Sequence, residues 1–296
     1  MHIRIRKILS NKFKNNYNGE VIPQLEIELL LAKALDKDRV FIISEPEFQL
    51  EGKPLIEFNK LLRRRKNGEP IAHILGNKEF FGLNFKVDNN VLIPRPETEG
   101  LIELAVEKIK ASANDFINIL EVGTGSGIIP ISIVWALDNI GIKKTINIDS
   151  IDISEDAIKI AESNLNKYHL SNKNFKINFI NIDVFDQKLS SKLPDRTYDL
   201  IISNPPYILS REVSELDIEV KDFEPNIALD GGDDGMKFYE RILNLENISN
   251  ESTTYLFEIH STNTDDFKLM VKKLQPEKKL QLTKDLFERL RYAVIE

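Results

Sequence analysis

From Ile117 to the end of the chain, short apolar runs alternate with helical patterns, and few folds accept that alternation. Ile117 to Val122, Ile146 to Ile153, Phe175 to Ile182 and Leu200 to Ile202 each read as a strand, the last a fully buried one. Ser154 is a good N-cap, with Glu155 and Asp156 filling the first turn of the helix that follows. Strand and helix in repeated succession predict a parallel sheet covered by helices on both faces, and such sheets bind ligands beyond the carboxyl ends of their strands. Tyr255 to Ile259 adds a further strand, and Leu280-Gln281-Leu282 with Tyr292 to Ile295 predict a closing hairpin pair.

The ends of these strands carry the chemistry. Asp199 opens the Leu200–Ile202 strand, which stops at Asn204-Pro205-Pro206-Tyr207, where two prolines forbid further ladder hydrogen bonds. Asn204 offers an amide oxygen, and the prolines lack N–H donors and leave backbone carbonyls unclaimed, so the segment is a rigid cluster of acceptors. With the aromatic face of Tyr207 beside it, the cluster suits a planar group bearing an NH2, either a glutamine amide or the amino group of adenine. The first strand runs into Glu121-Val122-Gly123-Thr124-Gly125-Ser126-Gly127. Its glycines let the backbone lie against a ligand, and the helix that starts at Gly127 favours a carboxylate at its N-terminus. Asp152 ends the next strand, where a carboxylate accepts both hydroxyls of a ribose, and Asp183 ends the third, within reach of an adenine amino group.

The first 70 residues read differently. Leu25, Leu29 and Ala32 lie on one stripe of a helix that starts near Pro23, and Leu55, Phe58, Leu61 and Leu62 mark a second that ends at Gly68; no strand signal of similar strength interrupts them. The basic run Arg63-Arg64-Arg65-Lys66 reads as a solvated helix end. Phe80 to Val87 predicts a β-hairpin with glycine at its turn, Pro94-Arg95-Pro96 is stiff and extended, and Leu101, Leu104, Ala105 and Ile109 mark another helix. The expected organisation is a helical domain at 1–76, a β-hairpin linker at 77–95 and an α/β domain at 96–296. A net charge of −7 argues against a duplex DNA partner and against a stable nucleic-acid complex. Without cysteine there is no disulfide framework or thiolate chemistry, and without an apolar run of membrane-spanning length or a signal peptide the expectation is a cytoplasmic protein.

Taken together, these motifs resemble the release-factor glutamine methyltransferase family of class I S-adenosylmethionine-dependent methyltransferases. The likeness spans nearly the whole chain and rests on Gly68-Glu69-Pro70-Ile71-Ala72, Leu92 to Glu99, the glycine loop, Asp152-Ile153-Ser154, Asn204 to Tyr207, and Glu224-Pro225 with Gly231-Gly232-Asp233-Asp234-Gly235. It implies a Rossmann-like seven-stranded sheet, S-adenosylmethionine as methyl donor with S-adenosylhomocysteine as product, and methylation of the glutamine amide nitrogen in the Gly-Gly-Gln tripeptide of peptide chain release factors. The cofactor contacts expected are Glu121, Gly123, Thr124, Gly125, Gly127, Asp152, Ile153, Asp183, Val184 and Asn204.

An amide nitrogen is a poor nucleophile, so positioning is the main catalytic device expected. The Asn204 oxygen and the Pro205 carbonyl accept the two amide hydrogens, Tyr207 packs over the amide plane, and Pro206, Arg95 and Glu97 complete the substrate contacts. An aromatic, carboxylate-poor pocket avoids stabilising the sulfonium charge in the ground state. No metal is expected, and a monomer is. An amino-directed DNA or RNA adenine methyltransferase and a non-catalytic S-adenosylmethionine-binding protein are the alternatives. Two stretches depart from the family: His260 and Asn263 stand where glycine and glutamine are expected, with His260 read as structural, and Asp285 to Arg289 lacks a usual glycine.

Overall fold

Residues 2–10, 16–17, 20–168, 173–245 and 248–296 are described by the computed structural model. The apolar runs form a seven-stranded sheet built from β1 (Phe116–Val122), β2 (Thr145–Asp152), β3 (Phe175–Asn181), β4 (Leu200–Ser203), β5 (Thr254–Glu258), β6 (Leu280–Lys284) and β7 (Leu290–Ile295). Its spatial order is β6-β7-β5-β4-β1-β2-β3, parallel from β3 to β5, with β7 antiparallel to both β5 and β6. Alternate residues of one strand enter different cores: Leu120 and Ile201 pack on one face, Ile119 and Ile202 on the other. Both faces therefore need covering, and the helices α1 (Glu99–Ala111), α2 (Ile128–Asn139), α3 (Glu155–Lys167), α4 (Lys237–Leu243) and α5 (Thr264–Leu274) supply apolar residues to one cluster or the other.

The chain divides into two compact units, Lys78–Leu216 with Glu224–Glu296, and Met1–Asn77 with Asp217–Phe223. The segment Asp217–Phe223, which the sequence reading leaves inside the catalytic domain, thus groups with the N-terminal unit. Arg65 explains how: its guanidinium is buried and binds both Glu26 and Glu219, the latter at 2.6 Å. The expectation of a solvated basic run is corrected at Arg65, which is buried because Glu26 and Glu219 pair with it, while Arg63 stays exposed.

Two more details of the N-terminal unit differ from the sequence reading. In the helix Gln24–Leu35 the buried stripe is Ile27, Leu30 and Leu31 with Ala32, whereas Leu25 is 49% exposed. Apolar residues are so dense there that several stripes are available, and the choice accompanies burial of Glu28, which binds Arg39 at 2.7 Å and Gln24 at 2.8 Å. Short strands also occur where none was expected: His2–Arg4 pairs antiparallel with Gln49–Glu51, bringing Ile3 opposite the buried Leu50. They are three residues each, too brief to leave a periodic signal.

The linker hairpin pairs Asn77–Phe80 with Leu83–Lys86. Phe81 and Gly82 both take positive φ at its turn, the twist that matches two flanking strands. In the β6–β7 turn, Asp285 Oδ1 accepts from the backbone of Phe287 and Arg289, and Glu288 takes φ +61°. This is the stretch that lacks the family's glycine, and it shows what glycine would relieve. The left-handed conformation is costly for a residue with a Cβ. Among the described residues Glu288 forms one ion pair, with Lys284, which is exposed and contributes little. Glu288→Gly is expected to raise stability by about 0.5–1 kcal/mol, after the entropy cost of glycine is set against the relieved strain, read as a higher urea midpoint at unchanged slope.

Candidate active site

Strand order reverses between β1 and β4, and their parallel register sets Val122 opposite Ser203. The glycine loop and Asn204 therefore leave the sheet side by side, at the point where doubly wound folds bind ligands. Ser203 reinforces the pairing by donating its hydroxyl to the Val122 carbonyl at 2.7 Å. A Cβ built on Gly123 would stand 3.9 Å from the Asn204 carbonyl, and Gly123, Gly125 and Gly127 all have positive φ, so the loop follows a path open mainly to glycine. Asp152 closes it from the neighbouring strand: Oδ2 accepts from Gly125 N and Oδ1 from Ser154 N, both at 2.9 Å. Burial raises the Asp152 carboxyl above its ordinary value, and the two backbone donors oppose that shift.

Asn204 is held by residues far away in sequence. Its Nδ2 donates to Thr98 Oγ1 at 3.1 Å, and the Thr98 hydroxyl donates to Glu258 Oε2 at 2.7 Å. Thr98 has one hydrogen and gives it to the carboxylate, so towards Asn204 it acts as acceptor, and this sets which end of the amide faces it. Asn204 Oδ1 accepts from none of the described residues, and Asn204 lines a cavity. Glu258 and Thr98 are buried, and burial pushes the Glu258 carboxyl up to about 7.

Tyr207 is not where the sequence reading puts it. Its hydroxyl donates to Glu258 Oε1 at 3.3 Å and its ring lies against His260, centroids 5.5 Å apart, so it is absent from the wall of the cavity that Asn204, Pro205 and Pro206 line. The pull of a buried carboxylate on a phenol outweighs exposure of the ring to an empty face. The Gly231–Gly235 motif packs against the same segment. A Cβ on Gly231 would stand 2.7 Å from Tyr207 Cα, and one on Gly235 would stand 2.7 Å from the Tyr207 carbonyl, so the glycines are required by close backbone approach. Ile208 N donates to Leu229 O at 3.1 Å and Gly231 N to Ile208 O at 2.8 Å, which ties the two segments together. His260, with Nδ1 2.6 Å from Thr262 Oγ1, lies against the Tyr207 ring and is not on this cavity wall.

Arg95 lines the cavity; Glu97 does not. Arg95 pairs with Glu224 at 2.6 Å, and the other Glu224 oxygen accepts from Ile93 N at 2.9 Å, so Glu224 anchors the extended stretch. Glu97 instead offers its backbone carbonyl to the Tyr292 hydroxyl at 2.5 Å. The cavity, of about 250 Å³, brings together every expected cofactor residue except Gly127: Glu121, Gly123, Thr124, Gly125, Asp152, Ile153, Asp183, Val184 and Asn204. Gly127 lies just outside, capping α2. Phe185 and Phe238 make the wall aromatic, while Glu121, Asp152 and Asp183 correct the expectation of a carboxylate-poor pocket.

Glu121 is the unusual member. It is fully buried; Oε2 accepts from Ser150, whose hydroxyl also meets Thr124, and Oε1 has no partner among the described residues. Burial pushes its carboxyl well above the usual range. An unpartnered carboxyl oxygen, a glycine cradle, a strand-end carboxylate and aromatic walls fit a ligand that combines hydroxyls, an amine and a flat ring, which S-adenosylmethionine does. Thr98 and Glu224 fall inside stretches that carry the family resemblance but were given no role of their own, and Ser150 and Ser203 look locally like any core polar residue. No group of three metal-ligating side chains occurs among the described residues.

Comparison with known proteins places both parts of the chain in families. The PrmC N-terminal domain family matches residues 10–76 and the Methyltransferase small domain family residues 103–219. Release factor glutamine methyltransferase of Clostridium botulinum is 38% identical over 238 residues, 80% of this chain and 79% of that protein. The protein of the same name from Rhodopirellula baltica is 38% identical over 228 residues, 76% of this chain and 73% of its own. Among solved structures, the hMettl16 catalytic domain in complex with MAT2A 3′UTR hairpin 6 shares the fold, with TM-score 0.53 and 15% identity over 73% of this chain and 75% of that one. No described helix is long and apolar enough to cross a membrane.

The burial of Glu121 has a consequence for stability. Its folded-state pKa lies above the unfolded value, so the native state holds this proton more tightly; the stabilisation is complete below the unfolded pKa and is lost as pH rises through the folded one. Glu121→Gln is therefore expected to gain on the wild type as pH increases from about 4.5 upward, at no more than ~1.4 kcal/mol per pH unit. Urea midpoints of the two ligand-free proteins between about pH 4.5 and 8 measure the difference, and parallel curves would contradict the assignment.

Proposed function

Because the chain belongs to the release factor glutamine methyltransferase family, we propose that it transfers a methyl group from S-adenosylmethionine to the side-chain amide nitrogen of the Gly-Gly-Gln glutamine in peptide chain release factors. The observation that carries this reading is the acceptor end of Asn204. Its amide nitrogen is committed to Thr98, which leaves Oδ1 for a donor arriving through the cavity, beside the glycine loop. A substrate NH2 is such a donor.

S-adenosylmethionine supplies an electrophilic methyl on a sulfonium when bound. Asp152 holds the ribose hydroxyls, Gly123 to Gly127 admit the backbone-lying part of the cofactor, Glu121 Oε1 takes a donor, and Asp183, Ile153 and Val184 flank the adenine. Asn204 Oδ1 and the Pro205 carbonyl accept the two hydrogens of the substrate amide and aim its lone pair. Alkylation makes that nitrogen strongly acidic, so one of these carbonyls or a water removes the proton without a tuned base. Arg95 and Pro206 hold substrate backbone at the mouth, and Tyr207 acts from behind through Glu258.

We assign recognition of the folded release factor to the domain at 1–76, since a pocket for one side chain does not distinguish a protein glutamine from free glutamine. The linker at 77–95 leads into the methyltransferase domain at 96–296, apart from Asp217–Phe223, which groups with the N-terminal unit. The reading places a monomer in the cytoplasm, with no stable nucleic-acid complex, in keeping with the charge of −7.

Two substitutions separate cofactor from chemistry. Asp152→Ala is expected to weaken S-adenosylmethionine binding by about 1.5–3 kcal/mol, the loss of a charge-assisted pair. Asn204→Ala is expected to leave that affinity nearly intact and slow transfer roughly 10²–10³-fold, as removal of one oriented polar group does elsewhere. Calorimetric titration and single-turnover methylation of a purified release factor, with an oligonucleotide run in parallel, read both effects. Label on the oligonucleotide alone would refute the reading, and near-normal turnover by Asn204→Ala would refute the role of Asn204.

A further inference from the structure

An asparagine amide has almost the same shape when its oxygen and nitrogen are exchanged, so geometry alone does not decide which end meets the substrate. The decision rests on who donates to whom along Asn204, Thr98 and Glu258. Resting on the function proposed above, we propose that Thr98 and Glu258 are positioning residues, and that the negative charge of Glu258, relayed by the Thr98 hydroxyl, keeps the Asn204 oxygen turned towards the substrate amide.

The number of hydrogens along these three groups fixes the direction. With Glu258 ionised, Thr98 gives its one hydrogen to Oε2 and accepts from Asn204 Nδ2. A proton on Oε2 reverses the chain. Glu258 then donates to Thr98, the Thr98 hydrogen becomes free to donate onward, and Asn204 satisfies it by turning Oδ1 inward. The NH2 of Asn204 now faces the NH2 of the substrate, donor against donor, and the hydrogen bond that aims the lone pair is lost. Every group in the chain is satisfied in either direction, so the reversal costs no buried unpaired atom; both Thr98 and Glu258 are about 1% exposed.

Several groups face Glu258 and set its ionisation. Glu97, beside Thr98 ahead of α1, disfavours the charge. Tyr207, after β4, donates to Oε1, and Tyr239 of α4 donates to the Glu258 backbone carbonyl at 2.8 Å. Arg291, in β7, favours the charge and is itself held by Asp285; Tyr292, opposite Glu258 in the β5–β7 register, is raised by the Glu258 charge, and Arg95 acts on Tyr207. Burial is the largest influence, and together these bring the carboxyl to about 7, where protonation competes under ordinary conditions. The carbonyl of Pro205, which carries no proton, does not share this sensitivity.

The test is single-turnover methylation of a purified peptide chain release factor at saturating S-adenosylmethionine, from about pH 5.5 to 9, with calorimetric cofactor affinity measured on each protein. The wild-type rate is expected to rise through about pH 7 and then level off. Glu258→Gln, which places an NH2 donor beside Thr98, and Thr98→Val, which breaks the relay, are expected to lose that rise and to be slower on the plateau by roughly ten- to a hundredfold, the usual size for a residue that orients another. Thr98→Ser restores both rate and profile. Cofactor affinity is expected to stay within about threefold throughout, a change near 0.6 kcal/mol. A variant that loses cofactor affinity along with rate has a structural role, and the proposal falls. Variants that keep the wild-type rate and profile overturn the proposal alone. A wild type that methylates no release factor at any pH overturns the functional reading, and the proposal with it.

Discussion

The parallel pairing of β1 with β4 is the contact on which the rest depends. It sets Val122 opposite Ser203 and so sends two unrelated pieces of chain, the glycine loop and Asn204-Pro205-Pro206-Tyr207, out of the sheet as neighbours. A slip of one residue in either strand would move Asn204 to the other face, because side chains alternate with a period of two. The register is protected by burial on both faces and by the Ser203 hydroxyl on the Val122 carbonyl. Prolines then end β4 at the place where the acceptors are needed.

Around this pairing the protein uses buried carboxylates as anchors, and they are not equivalent. Glu224 has a guanidinium on one oxygen and a backbone N–H on the other, so it fixes the extended stretch at Ile93 and Arg95. Glu258 is met by two hydroxyls, which are adjustable donors, and it organises side chains from two distant segments, Thr98 and Tyr207. Glu121 has a hydroxyl on one oxygen and nothing described on the other. An unmatched buried oxygen costs on the order of 1–3 kcal/mol in a folded protein. A ligand donor offsets that cost on binding, which is a reason for such an atom to face a cavity.

Much of this was legible in the sequence, for physical reasons that differ by element. The strands of the sheet were visible because burial on both faces demands uninterrupted apolar runs, and the glycine loop and double proline announce backbone paths that other residues do not follow. The strand-end aspartate Asp152 was visible through its place in that pattern. Partners that meet only in three dimensions were not. Arg65 sits in a run of basic residues that looks solvated until Glu26 and Glu219 are brought to it, and Glu219 is 154 residues away. Tyr207 looked like a stacking surface because the sequence shows the ring and hides the carboxylate that claims its hydroxyl. The stripe of the first long helix was misplaced because dense apolar residues leave the choice to packing.

The same distinction separates what a motif specifies from what makes it work. Asn-Pro-Pro-Tyr specifies that acceptors stand at a strand end, yet an amide is only an acceptor when its oxygen points the right way. That direction is decided by Thr98, 106 residues earlier, and by Glu258, which is 160 residues from Thr98. Positioning is the device available to an enzyme whose nucleophile is a neutral amide, since no base strengthens it before the methyl arrives. A positioned group is useful only if it does not rotate, and a side chain held by one hydrogen bond to a hydroxyl is fixed only as far as that hydroxyl is. The polarity of the Asn204 site is thus a property of the buried chain behind it, and a protein that kept the four motif residues while losing Thr98 would keep the shape of the site without its direction.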